Sequence, residues 1–154
     1  MIYIELEAQA MLFAITRELP IKDISEEMRK FIFNHIDSIE QLEVLFLLRN
    51  HLPRKWTVFE ISSELRSSPE SILKRIESNR STGLIRTIDD TGSRLFEYYA
   101  TDVKLENMVE ELAVAYRNQP HRIIELIYSP TKRVRSFASA FVMRDPDLKK
   151  GENG

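Results

Sequence analysis

Apolar positions recur at three- and four-residue steps through most of the chain, which predicts a mainly helical protein. Ile39, Leu42, Leu45, Phe46 and Leu48 make one face, and Val44 and Leu47 widen it. A helix this apolar reads as the buried centre of a domain. Ahead of it, Met28, Phe31 and Ile32 mark a shorter helix ending near His35. Met1 to Glu18 also reads as helix, although Ile2, Ile4 and Leu6 alternate as a strand would, and Pro20 ends it. Three helix starts carry the spacing of a capping box: Asp23-Ile24-Ser25-Glu26, Asp37-Ser38-Ile39-Glu40 and Thr57-Val58-Phe59-Glu60. In that motif a short polar side chain and an acid three residues later satisfy each other's free backbone N–H groups.

The stretch from Thr57 to Tyr99 has the densest punctuation. Thr57 opens a short helix through Leu65, with Phe59, Ile61 and Leu65 expected to face inward; Trp56 lies in the linker before it. Arg66-Ser67-Ser68 is a turn. Ser68 can cap a second helix, and Pro69 falls at the first helical position, where its missing N–H costs nothing. Ile72, Leu73 and Ile76 form the expected buried stripe, and Gly83 supplies a left-handed stop. The period then changes. Leu84 to Ile88 and Leu95 to Tyr99 are rich in β-branched and aromatic residues, and Asp89 to Arg94 reads as the hairpin turn between them.

Beyond the hairpin, Asp102 caps a long helix whose Leu105, Met108, Val109, Leu112, Ala115 and Tyr116 form a stripe suited to packing on the domain or pairing with a second copy. Pro120 breaks it. Ile123, Ile124, Leu126 and Ile127 make a short helix ending at Ser129-Pro130, and Val134, Phe137, Ala138 and Phe141 share one side of a last amphipathic segment. The organisation read from this pattern is N-terminal helices over 1–36, a compact unit over 37–100, C-terminal helices over 101–146 and a polar, disordered tail over 147–154.

Composition narrows the chemistry. A chain of 154 residues with 43% hydrophobic and 30% charged positions can bury a core. It has no cysteine, which removes disulfides, thiolate catalysis and cysteine-bound zinc. No uncharged apolar run approaches the roughly 20 residues that span a bilayer, and the N-terminus lacks a basic leader, so a cytoplasmic protein without membrane contact is expected. The net charge of −2 gives no global attraction to nucleic acid. The distribution is uneven: nine acids against four bases from Met1 to Leu48, then eight bases against four acids from Arg49 to Arg86. Lys132, Arg133, Arg135 and Arg144 form an acid-free stretch near the end. A locally basic middle suits a face that meets phosphate, and equally an ordinary mixed-sign surface.

The segment from Ser38 to Tyr99 resembles the winged helix-turn-helix superfamily, the MarR-like and PadR-like bacterial transcription regulators in particular. The resemblance rests on the two helices and turn from Thr57 to Gly83 plus the following hairpin. It implies a mainly α fold with a small β-hairpin, helical extensions at both ends, and double-stranded DNA as partner. The second helix of the pair, Pro69 to Thr82, would lie in the major groove, and the hairpin tip would touch the adjacent backbone. Carried onto this chain, the DNA-binding set is Arg66, Ser68, Ser71, Lys74, Arg75, Asn79, Arg80 and Arg94. Lys74 and Arg75 suit phosphates or guanine edges, Asn79 an adenine, and Ser71 a phosphate near a helix N-terminus. A homodimer through Leu105, Met108, Leu112 and Tyr116 would present two such helices to successive half-sites. Against this stand Glu70 and Glu77 on the reading helix and Asp89-Asp90 on the wing, each unfavourable beside a polyanion. They motivate an alternative, a winged helix used as a protein-interaction module without nucleic acid.

Other chemistry finds no pattern. His35, His51 and His121 show no ligand spacing, so no metal site and no cofactor is expected, and His35 and His51 read as helix-end residues. There is no G-x-S-x-G elbow and no phosphate-cradling glycine loop, and Glu26-Glu27 and Glu110-Glu111 read as surface runs, so the chain is not expected to be an enzyme. Trp56, Tyr98 and Tyr99 line either a small effector pocket or, more simply, the seam between wing and helices.

Overall fold

The computed structural model describes residues 23–130. Among these residues the order of elements is α1 (Glu26–His35), α2 (Ile39–Asn50), α3 (Val58–Leu65), α4 (Pro69–Thr82), β1 (Ile85–Asp90), β2 (Ser93–Tyr98), α5 (Val103–Asn118) and α6 (Pro120–Ile127). The helix expected over Met1 to Glu18, the amphipathic segment with Lys132, Arg133 and Arg135, and the tail expected to be disordered lie outside the described residues. No helix of the described residues is long and apolar enough to cross a membrane.

Five of the six described helices start after a short polar cap, with two shifts from the sequence reading, and α6 follows Gln119 without a side-chain cap. α1 is capped by Ser25, whose hydroxyl accepts from Met28 N at 3.2 Å, instead of by Asp23. That start turns Met28, Phe31 and Ile32 inward together with Ile24. α2 is capped by Ser38, one residue after Asp37; the Ser38 hydroxyl accepts from Gln41 N, and Gln41 Oε1 accepts from Asp37 N at 2.9 Å. The amide of Gln41 does here what Glu40 was expected to do, which frees Glu40 for another partner. Only Thr57–Glu60 forms the full reciprocal box.

α2 is the centre. Its Gln41, Leu42, Val44, Leu45 and Leu48 are buried around more than one side, and it packs against α3, α4 and β2. Ile61, Ile72, Ile76, Leu84, Trp56 and Phe96 complete the core with Val109, Leu112, Ile123 and Ile127. Two residues expected inside are not. Phe59 is 75% exposed and Leu73 41% exposed. The buried stripe of α3 runs Val58, Ile61, Leu65 and that of α4 runs Ile72, Ile76, Asn79, each in steps of three and four. Phe59 and Leu73 sit one residue, about 100°, off those stripes.

α4 ends in a Schellman arrangement: Gly83 N donates to Arg80 O and Leu84 N to Asn79 O, both at 3.0 Å, with Gly83 at φ 86°. The hairpin is tighter than expected. Asp89 pairs with Arg94 and Asp90 with Ser93, leaving a two-residue turn, Thr91-Gly92, with φ 42° and 84°. Positive φ at both positions gives the turn whose twist matches antiparallel strands. Trp56 forms an isolated bridge on the other edge of β2, exchanging hydrogen bonds with Phe96 at 2.8 and 2.9 Å. Trp56 and Tyr98 are buried and fill the seam between wing and helices, while Tyr99 stays on the surface under the Arg86 guanidinium.

The apolar stripe of α5 turns onto the domain. Val109 and Leu112 are fully buried, and Leu105, Met108 and Tyr116 are half-buried against the core, with the Tyr116 ring 5.9 Å from Phe46. Leu112, expected at a dimer interface, thus spends its whole surface inside one protomer. Polar contacts fix the helix as well. Arg49 of α2 binds Glu110 and lies 3.6 Å from Glu106, and the Tyr98 hydroxyl donates to Glu106 at 2.6 Å. Burial and the Glu106 carboxylate push the Tyr98 phenol up.

Candidate nucleic-acid interface

The helix-turn-helix unit is built from the turn outward. Arg66 closes α3 in the left-handed region at φ 52°. Ser67 N donates to Ser62 O at 3.1 Å, and the Ser62 hydroxyl returns a bond to Ser67 O at 2.5 Å. Ser68 then caps α4 through Ser71 N, with Pro69 in the first turn. The three residues divide the turn between them. Arg66 reverses the backbone, Ser67 is tied to α3, and Ser68 starts the next helix.

The eight residues expected to meet DNA divide into three groups. Arg66, Ser68 and Lys74 are exposed, and Lys74 has no ion partner among the described residues. Arg80 and Arg94 are exposed but paired: Arg80 lies 3.5 Å from Glu77 and 3.3 Å from Thr87 of β1, and Arg94 lies 3.7 Å from Asp89 across the wing. Such exposed pairs are weak and easily exchanged for another anion. The third group points inward. Ser71 donates to Glu40 Oε2 at 2.5 Å and Arg75 Nε to the same oxygen at 2.8 Å. Asn79 is fully buried, its amide donating to Gln41 O at 3.1 Å and accepting from Gln41 Nε2 at 3.3 Å. The expectation that Asn79 faces outward is therefore corrected: it is the third member of α4's buried stripe, following Ile72 and Ile76 at steps of four and three.

Glu40, which local spacing marked only as a capping-box acid, belongs instead to the helix-turn-helix unit. It sits in the first turn of α2 and accepts from the Ser67 hydroxyl, the Ser71 hydroxyl and Arg75. Burial by itself would raise its pKa, but those hydrogen bonds and the Arg75 charge outweigh it and hold the carboxyl down at about 2. Its donors lie 27 to 35 residues away in sequence. The outward face of α4 is of mixed sign: a shallow, open groove runs along Glu70, Leu73, Lys74, Glu77, Ser78 and Ser81.

Among the described residues no group of three His, Asp or Glu is placed to hold a metal ion. His35 lies in the last turn of α1 beside Phe31, and His51 follows α2 with Nδ1 2.8 Å from Leu47 O. Both occupy helix ends.

The arrangement of α2, α3 and α4 with the hairpin is a winged helix-turn-helix. No family model matches the chain, and no curated protein matches it. Solved structures that it resembles include a mutant of ZitR from Lactococcus lactis, at 18% identity and TM-score 0.48, covering 92% of this chain and 93% of that one. HlyU from Vibrio cholerae is 20% identical with TM-score 0.46, over 62% of this chain and 99% of its own. MepR, a transcription regulator of the Staphylococcus aureus multidrug efflux pump MepA, is 16% identical with TM-score 0.46, over 76% and 87%.

Proposed function

We propose that this chain is a small DNA-binding transcription regulator that lays α4 in the major groove and the β1–β2 tip against the neighbouring backbone. The observation that carries the reading is the placement of Lys74. It stands exposed and without an ion partner among the described residues, on a helix that a three-residue turn seats across α3, with the wing at that helix's C-terminal end. Arg66 and Ser68 at the N-terminal end of α4 and Arg94 on the wing supply further phosphate donors. Arg80 belongs to the same set once its loose pair with Glu77 opens. The reading extends to a cytoplasmic homodimer, because one α4 reads only a half-site and a two-fold pair doubles the site.

The test is titration of a labelled random-sequence duplex at about 50 and 200 mM salt, with the solution mass measured alongside. Binding that weakens steeply with salt supports the reading, since the phosphate contribution is the sequence-independent one. Absence of binding even at low salt overturns it.

A second reading, a winged helix that binds protein, is favoured by one observation. Glu70 and Glu77 flank Lys74 on the open face of α4, and Leu73 is exposed beside them. A salt-independent association with protein and none with duplex would establish it in place of the first.

A further inference from the structure

Three donors of the helix-turn-helix unit share one acceptor, Glu40. Ser67 from the turn, Ser71 from the first turn of α4 and Arg75 one turn later all converge on one carboxylate. Two hydroxyls and a guanidinium near a helix N-terminus are the donor set that a backbone phosphate takes from DNA-binding proteins. Here an anion of the chain itself occupies it. Among the described residues Arg75 is held at Nε alone, and its side chain retains 20% exposure, that of Glu40 23%. The guanidinium is tethered at one atom at the margin of the surface and is not sealed in the core.

We infer that Glu40 is a positioning residue that acts as an internal stand-in for a phosphate: it clamps the start of α4 onto α2 and withholds Arg75 from the DNA backbone. This rests on the DNA-binding reading and deepens it. With the clamp closed, the outward charge of α4 is set by Lys74 and Arg80 against Glu70 and Glu77; with it open, the helix offers a further phosphate-directed cation, Arg75. The contact is thus a built-in restraint on non-specific affinity, because each added phosphate contact strengthens binding to any sequence.

The test uses the full chain and Glu40→Gln. The amide removes the charge and keeps one oxygen, which can accept from Ser67 or from Ser71, while its NH2 can donate to the other hydroxyl, so the helix start keeps hydrogen-bonding partners. Binding of a random-sequence duplex is followed between about 50 and 200 mM salt. The expected result is tighter binding at low salt and a log–log slope steeper by about 0.9, which is about a threefold greater loss over that range. In Glu40→Gln/Arg75→Gln the extra slope should vanish, a reversal that a merely structural role of Glu40 would not produce. Urea unfolding of each variant checks that it is folded where binding is read.

Wild-type binding with an unchanged or shallower slope in folded Glu40→Gln overturns the clamp and leaves the DNA reading standing. If neither protein binds duplex at low salt, both fall together.

Discussion

Asn79 of α4 and Gln41 of α2 are both fully buried and bond to each other, Asn79 donating to Gln41 O and Gln41 Nε2 to Asn79 Oδ1. Gln41 Nε2 also donates to His35 O at 2.7 Å, so one side chain joins the end of α1 to α2 and α4. A polar pair in the interior specifies how α4 lies on the domain more narrowly than apolar packing does, since an unpaired amide there is costly. Asn79→Ala leaves the Gln41 carbonyl without that donor in a dry site, and the expected loss is about 1–3 kcal/mol. The fluorescence of Trp56, the one tryptophan and itself buried, follows the urea transition that measures it.

Glu40 gives the fold a pH dependence whose sign is fixed. Its carboxyl titrates at about 2 in the folded protein, against 4.5 as the ordinary value. A depressed folded value contributes stability above pH 4.5, and the contribution drains away as pH falls from 4.5 toward 2. The expected contribution is roughly 2 kcal/mol, less than the full shift because both partners keep some solvent contact. Glu40→Gln should be less stable at pH 7 and should show a shallower decline through the acid range, as read by urea midpoints at successive pH values.

Gly83 and Gly92 are both left-handed, but only one is crowded. A β-carbon at Gly83 would come within 2.8 Å of Thr101 Oγ1, whereas at Gly92 nothing lies within 4 Å. Gly83→Ala should therefore cost about 1–3 kcal/mol, from the backbone preference and from displacement of Thr101. Gly92→Ala should cost about 1 kcal/mol, from the backbone alone. Thermal midpoints of the two variants, compared side by side, check the order.

Lys74→Ala should weaken duplex binding on all sequences and lower the salt slope by about 0.9, the signature of one lost phosphate contact. Urea stability should stay within about 0.5 kcal/mol of wild type, because the side chain is exposed and has no ion partner among the described residues. A slope that does not move would place the phosphate contacts elsewhere on the unit.

The helix-turn-helix was legible because its punctuation is local. Thr57, Ser68, Pro69 and Gly83 each act on backbone within a few residues, and all four sit where the sequence reading puts them. The caps of α1 and α2 were misplaced because Asp23 and Asp37 compete with Ser25 and Ser38 for the same role, and burial of the following apolar stripe decides between them. The hairpin turn looked longer than it is because Asp89, Asp90, Ser93 and Arg94 are turn formers by type, yet the Thr91-Gly92 reversal draws them into strands. The site was less legible for a different reason. Whether Arg75 and Asn79 face out or in depends on Glu40 and Gln41, which lie 35 and 38 residues earlier. The spacing of α4 does put Asn79 in line with Ile72 and Ile76, but it carries no sign of the partners on α2 that hold Asn79 and Arg75.

The bridge between Trp56 and Phe96 bears on how these molecules behave when concentrated. An isolated hairpin offers a free backbone edge on each side, and either can template a strand from another molecule. Here the middle of β2 has β1 on one flank and Trp56 on the other. Among the described residues that leaves β1 as the chief route to edge-to-edge association, and Asp89 and Asp90 place repelling charge near its end.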